Sequence, residues 1–183
     1  FVANSWYRIL DWPDNVIILT DESPSVTLRS LNTFIYGIGF SAFRQDKPDL
    51  SRVARPIPGF FNIFMLHGEL DTDVGDIPYN PVTSGELENL GYDYYALGHF
   101  HNASQSLRLR NAAYAGSPEP LGFGEPGCHG VILGRMWRDE VVTTADAECE
   151  KLCRYLCANE MQAEVISAGV TTAIAVKPRQ WPL

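Results

Sequence analysis

The chain has 183 residues, of which 45% are hydrophobic and 20% charged, so it can bury a core as one domain or the greater part of one and is not disordered. The formal net charge of −8 argues against a self-sufficient nucleic-acid surface, because sequence-independent DNA affinity comes mainly from Lys and Arg. The sequence has no signal-peptide pattern and no apolar stretch of about 18 residues or more, which predicts a soluble, cytoplasmic protein without a membrane segment.

Short apolar strands separated by turns, with a few helices between them, run through the sequence. The helices are predicted at Ser5–Leu10, Ser84–Leu90 and Ala145–Met161, with Ser84 as the N-cap of the second. The strands are predicted at Asn15–Leu19, Ser25–Leu28, Phe34–Ile38, Phe61–Leu66, Tyr94–Leu97, Ser106–Arg110, Ala112–Ala115, Gly130–Trp137 and Glu140–Thr144. Buried strands with helices between them indicate an α/β (α+β) fold built as a layered sandwich.

Histidines follow two of the apolar strands. In the segment FFNIFMLHGE the apolar run ends in His67 and Gly68, and in the segment YYALGHFHN the apolar run is followed by Gly98, His99, Phe100 and His101. In an extended backbone, residues two apart point to the same side, so His99 and His101 can reach one metal cluster, and Gly98 permits a sharp turn. A single such histidine is as easily a hydrogen-bonded structural residue, but three at two strand ends favour metal ligation.

Carboxylates near these histidines have a less specific pattern. Glu69, Asp71, Asp73 and Asp76 follow His67 without the spacing of a calcium-binding loop, which favours a solvated acidic loop. Asp93 precedes the YYALG strand and could orient a ligand from a second layer, although a turn carboxylate is the simpler role. Asn102 could contact substrate, although capping a turn is again simpler.

Four cysteines lack a CxxC pair and the spacing of a disulfide framework. Cys149, Cys153 and Cys157 recur every four residues in the predicted third helix, which favours a small apolar packing face over a soft-metal site.

The order of these motifs resembles the second half of a calcineurin-like metallophosphoesterase of the SbcD type, the nuclease subunit of a DNA double-strand-break repair complex. The resemblance covers roughly residues 4 to 138. LHG and GHFH are shared by metallophosphoesterases in general. The segment NAAYAGSPEPLGFGEPGCHG is more specific, because it resembles the SbcD-like nucleases in particular. The residues that carry this resemblance are Tyr114, Gly116, Ser117, Pro118, Phe123, Glu125 and Gly130.

This resemblance implies a calcineurin-like phosphoesterase fold, with two mixed β-sheets flanked by helices, of which this chain holds an incomplete part. It implies two divalent metal ions, of which manganese is expected, with His67 and His99 on one and His101 on the other. The upstream Asp-x-His, Gly-Asp-x-x-Asp and Gly-Asn-His-Asp motifs of the family are absent, so the catalytic histidine is expected before Phe1. The expected result is half an active site and little activity from this chain alone.

Residues 1–144 are therefore interpreted as the C-terminal portion of a metallophosphoesterase domain, and residues 145–183 as a helical and short-strand tail. The resemblance implies DNA as substrate and an SMC-like ATPase partner of the SbcC type, and it leaves a homodimer open. That partner and the bound dications would supply the positive charge that the chain lacks. The alternatives are a phosphatase or cyclic-nucleotide phosphodiesterase on the same fold, and a non-catalytic interaction module that has lost the site.

Overall fold

The computed structural model of the chain describes residues 6–39, 47–72, 79–101, 109–120, 122–125, 129–136, 141–148 and 165–167. The chain forms two compact units, Phe1–Tyr95 and Ala96–Leu183. In the described part, the helices are α1 (Trp6–Ile9) and α2 (Ser84–Leu90). The strands are β1 (Ser25–Leu28), β2 (Thr33–Ile38), β3 (Phe61–His67), β4 (Tyr94–Gly98), β5 (Ala112–Tyr114), β6 (Gly130–Met136), β7 (Val141–Glu148) and β8 (Val165–Ser167).

The strands form a five-stranded sheet in the order β1-β2-β3-β4-β5 and a three-stranded sheet in the order β7-β6-β8. The first sheet is mixed, because β1 pairs with β2 antiparallel and β2 pairs with β3 parallel. This mixed sheet with few helices confirms the predicted α/β class and is consistent with a calcineurin-like phosphoesterase fold. The second sheet differs from the expectation of two mixed sheets, because its described pairings, β6 with β7 and β6 with β8, are antiparallel.

The core of the first unit is centred on β3. Ile63 and Phe64 are fully buried and Leu66 is 1% exposed. Such a continuous apolar run is typical of a strand covered on both faces. The Phe64 ring lies 5.5 Å from that of Tyr92 and 6.1 Å from that of Tyr95, in tilted and edge-on geometries that favour aromatic pairs. This packing gives β3 a fixed position, and with it the residues that follow the strand.

Helix α2 has the predicted bounds but begins with a different cap. Thr83, one residue before the predicted Ser84, is the N-cap, and it forms a capping box with Glu86 in which each side chain bonds the other's backbone N–H. Gly91 ends the helix with φ 72°, a left-handed conformation that glycine adopts without steric cost. The prediction of Ser84 as N-cap is therefore wrong by one position.

Two predicted elements differ from the structure. Asn15–Leu19 is not a strand: the Val16 N–H bonds to the Pro13 carbonyl in a turn, and Ile17 is 53% exposed, so no buried face supports strand pairing. The helix predicted from Ala145 is also wrong at its start, because β7 continues to Glu148, which pairs with Gly130. Tertiary pairing overrides the local helical pattern there.

Several predictions lie outside the described residues. They are residues 149–161 of the third helix, with the three cysteines spaced four apart, and residues 106–108 of the strand predicted before Arg110. Leu109 and Arg110, the described end of that strand, lie in a loop and a turn. The described helices include no segment long and apolar enough to cross a membrane.

Candidate functional site

His67 is the last residue of β3, and a neighbouring segment holds its backbone in place. The Asn80 side-chain Nδ2 donates to the His67 carbonyl oxygen at 3.0 Å, and Asn80 is fully buried. The Tyr79 ring packs edge-on against the His67 ring, with centroids 5.8 Å apart. Burial raises the pKa of the Tyr79 hydroxyl above its ordinary value, so the side chain beside His67 stays neutral well into the alkaline range.

Gly68 permits this arrangement because the chain passes very close to Asn80. A Cβ at residue 68 would lie 2.4 Å from the Asn80 carbonyl oxygen, a distance that no real Cβ contact shows. The backbones also pair around this point, with Glu69 N–H donating to the Tyr79 carbonyl and Val82 N–H donating to the Glu69 carbonyl. The glycine in LHG therefore serves a close backbone approach in the first unit.

Glu69 is buried, which corrects the expectation of a solvated acidic loop at that position, whereas Asp71 is exposed as expected. Glu69 is only 4% exposed and its carboxylate accepts from the Tyr79 N–H. The Asp71 carboxylate accepts from the backbone N–H of Ser84 at 2.8 Å and from the Ser84 hydroxyl, at the beginning of α2. The other two members of the predicted acidic loop, Asp73 and Asp76, lie outside the described residues.

Asp93 lies at the other end of β3 from His67. Its carboxylate accepts from the backbone N–H of Asn62 at 2.6 Å and from the Asn62 side chain at 3.2 Å. Asn62 precedes His67 by five residues, which is about 17 Å along a strand. This geometry favours the turn carboxylate over the ligand-orienting role that the sequence left open.

The second unit carries the His-x-His pair, and the backbone bends at His99. Strand β4 ends at Gly98, and His99 has φ 123°, a conformation that residues with a side chain rarely adopt. The extended-backbone argument for the pair is therefore wrong, and the positive φ falls on the histidine rather than on Gly98. Backbone strain of this kind is concentrated at functional sites.

Phe100, between the two histidines, packs on the core of the second unit. Its ring lies 4.9 Å from that of Tyr114 in an edge-on geometry, and Tyr114 is 1% exposed. The His99 ring lies 5.0 Å from the same Phe100 ring. The aromatic residue in GHFH thus anchors the segment that carries both histidines.

His101 is held by the loop that follows β5. The Ser117 N–H donates to the His101 carbonyl at 3.0 Å, and Ser117 is 1% exposed. The His101 ring Nδ1 lies 2.5 Å from a carboxylate oxygen of Glu125, and both side chains are about one third exposed. The loop therefore contacts both the backbone and the ring of His101.

His129 completes the same cluster and was missed by sequence reasoning. Its Nε2 lies 3.1 Å from the Glu125 carbonyl, which can only accept, so Nε2 carries a hydrogen. Its Nδ1 lies 2.9 Å from the Ser117 hydroxyl oxygen and 3.2 Å from the Ser117 carbonyl oxygen. Because Ser117 is buried, this Ser–His pair is a structural link and not a nucleophile with its base.

The imidazoles of His99 and His101 are suitable ligands for a divalent metal ion, but two ligands are too few to complete a metal site. Imidazole nitrogen is a common ligand for zinc, manganese and iron, and His101 bonds Glu125 through Nδ1, which leaves Nε2 as its second ring nitrogen. Among the residues that the structure describes, no group of three or more His, Cys, Asp or Glu side chains could hold a metal ion. Asn102 lies outside the described residues, so its role stays a prediction.

Comparison with known proteins agrees with the motifs. No protein-family profile matches the chain. A curated protein, the uncharacterized metallophosphoesterase YhaO of Bacillus subtilis (strain 168), is 33% identical over 139 residues. The match covers 72% of this chain and 33% of the relative, so the chain spans about one third of the relative's length. This similarity supports the calcineurin-like metallophosphoesterase superfamily.

Proposed function

We propose that this chain is part of a metal-dependent phosphodiesterase that processes DNA ends, a repair exonuclease of the SbcD type. The observation that carries the proposal is the geometry after β4. His99 has a strained backbone there, and the ring nitrogen Nδ1 of His101 lies within hydrogen-bond distance of the Glu125 carboxylate. The chain that holds this segment is similar to a metallophosphoesterase. The backbone strain at His99 and the contact between the His101 ring and Glu125 favour a site under functional constraint over a fold that has lost it.

In this proposal His99 and His101 are ligands of divalent ions, with manganese as the proposed metal, and His67 is a further ligand on the strength of its LHG motif. When bound, such ions polarise the phosphoryl oxygens and activate the attacking water. The carboxylates that two dications need are proposed to come from parts of the full-length protein other than the described residues. The chain's own contribution is to hold the imidazole ligands in place.

The choice of DNA over a small phosphoester rests on the sequence between Tyr114 and Gly130, which resembles the SbcD-like nucleases. The structure adds that Ser117 and Glu125 of this segment contact His101, so the distinctive sequence lies beside a proposed ligand. An ATPase partner of the SbcC type would supply the cationic DNA contacts that a net charge of −8 does not.

The test is hydrolysis by the full-length protein with manganese, using end-labelled linear DNA, bis-p-nitrophenyl phosphate and a phosphate monoester. We expect hydrolysis of DNA ends and of the diester, and a loss of roughly 100-fold or more in His101→Ala, because losing even the outer partner of a metal ligand costs about 10- to 100-fold. Glu88→Ala, an exposed position on α2, is the control and should retain full activity.

Each alternative has its own outcome in this assay. Hydrolysis of the monoester or of cyclic nucleotides without action on DNA would replace the nuclease with a phosphatase or cyclic-nucleotide phosphodiesterase. Absence of all hydrolysis, in a protein that is folded and loaded with manganese, would favour the non-catalytic module. Full DNA hydrolysis by His101→Ala would contradict the assignment of this histidine as a ligand.

A further inference from the structure

A hydrogen bond to one ring nitrogen of a histidine decides which nitrogen can bind a metal. The His101 Nδ1 lies 2.5 Å from a carboxylate oxygen of Glu125. An ionised carboxylate can only accept, so Nδ1 must carry the hydrogen. In the neutral ring the lone pair is then on Nε2, the nitrogen directed away from Glu125.

We propose that Glu125 is a positioning residue, which holds His101 in the Nδ1–H form and so presents Nε2 to a divalent metal ion. This inference rests on the proposed function, since it concerns the same metal. It goes beyond the motifs, because it assigns a role to a carboxylate 24 residues further along the chain. Carboxylate–histidine–metal arrangements of this kind fix ring orientation and raise the basicity of the ligand.

The backbone of Glu125 is itself held by His129. His129 Nε2 donates to the Glu125 carbonyl, and His129 Nδ1 bonds Ser117, whose own N–H donates to the His101 carbonyl. Ser117 and His129, which contact each other, thus connect the backbone of His101 to the backbone of Glu125. Such a closed set of hydrogen bonds limits the movement of the His101 ring relative to Glu125.

The experiment uses the full-length protein, free of metal, with ¹⁵N-labelled histidine. At pH 8.5, where ordinary imidazole side chains are neutral, long-range ¹H–¹⁵N spectra report which ring nitrogen carries the hydrogen. We expect the Nδ1–H form for His101 in the wild type. In Glu125→Ala the form should shift toward Nε2–H, which is the commoner tautomer of a free side chain.

Manganese titration of the same proteins gives the second readout. Glu125→Ala should weaken binding by about 10- to 100-fold, and Glu125→Gln, whose amide oxygen can still accept from Nδ1, should recover part of the loss. Glu119→Ala removes an exposed glutamate from the same loop and should match the wild type. Recovery by glutamine separates ring orientation from a general loss of folding.

The possible failures are distinguishable. If His101→Ala leaves manganese affinity unchanged, the proposed function fails at this residue. If His101→Ala weakens binding but Glu125→Ala changes neither the affinity nor the tautomer, the metal site stands and the positioning role is overturned. An Nε2–H ring in the wild type would also overturn it.

Discussion

Replacing Gly68 with alanine is expected to lower the free energy of unfolding by about 3 kcal/mol, since inserting atoms into a packed site costs about 1 to 3 kcal/mol and sometimes more. The new Cβ would lie 2.4 Å from the carbonyl oxygen of Asn80 and 3.1 Å from its Cβ. The obstructing oxygen belongs to the backbone, so no side-chain rotation removes the clash. Moving Asn80 would break its bond to the His67 carbonyl in the fully buried interior.

Urea unfolding measures this effect, and the chain offers a matched control. Gly85 lies in α2 with no heavy atom within 4 Å of a built Cβ. Gly85→Ala should therefore leave the stability unchanged or raise it by up to about 1 kcal/mol, because alanine is the better helix former. Equal stabilities for Gly68→Ala and Gly85→Ala would contradict the close approach between the backbones of Gly68 and Asn80.

Replacing His99 with glycine is expected to have opposite effects on stability and activity. Glycine adopts φ 123° freely, whereas other residues in such conformations carry about 1 to 3 kcal/mol of strain. The proposed ligand would be lost, so hydrolysis by the full-length protein should fall by roughly 100-fold or more, as for the other ligand. The measurements are urea unfolding and the manganese-dependent hydrolysis of DNA ends.

His99→Ala is the matched control, because it also removes the imidazole and its contact with Phe100 but keeps a Cβ. His99→Gly should be about 1 kcal/mol more stable than His99→Ala after the flexibility of glycine in the unfolded chain is subtracted. The two variants should be equally inactive. A glycine variant less stable than the alanine variant after the same subtraction would show that the backbone at residue 99 is not strained.

The sequence predicted the elements that depend on neighbouring residues, such as helix caps and apolar runs. The bounds of α2 followed from an acidic first turn and Gly91 as its end, and the error of one residue at its cap arose because Thr83 and Ser84 are both good N-caps. Strands β3 and β4 were recognisable as apolar runs that end in histidine and glycine. Both runs are buried, so their hydrophobic pattern reflects the core.

Features that depend on distant contacts were not predictable in this way. Glu125 and His129 lie in a Gly- and Pro-rich loop, and only the folded chain brings them to His101 and Ser117. The positive φ of His99 was likewise hidden, because the sequence offers Gly98 as the obvious place for a turn. Ala145–Glu148 joined a strand because β6 supplies a partner for it, which a local pattern cannot reveal.

The most direct test of the proposed metal site is an anomalous difference map from crystals of the full-length protein soaked in manganese chloride. The account predicts an anomalous peak within about 2.3 Å of His101 Nε2, and a ring nitrogen of His99 at a similar distance from a manganese ion. Glu125 should remain bonded to Nδ1. Fully occupied manganese sites elsewhere in the protein, with no peak at either histidine, would contradict the assignment of this segment as a metal-binding site.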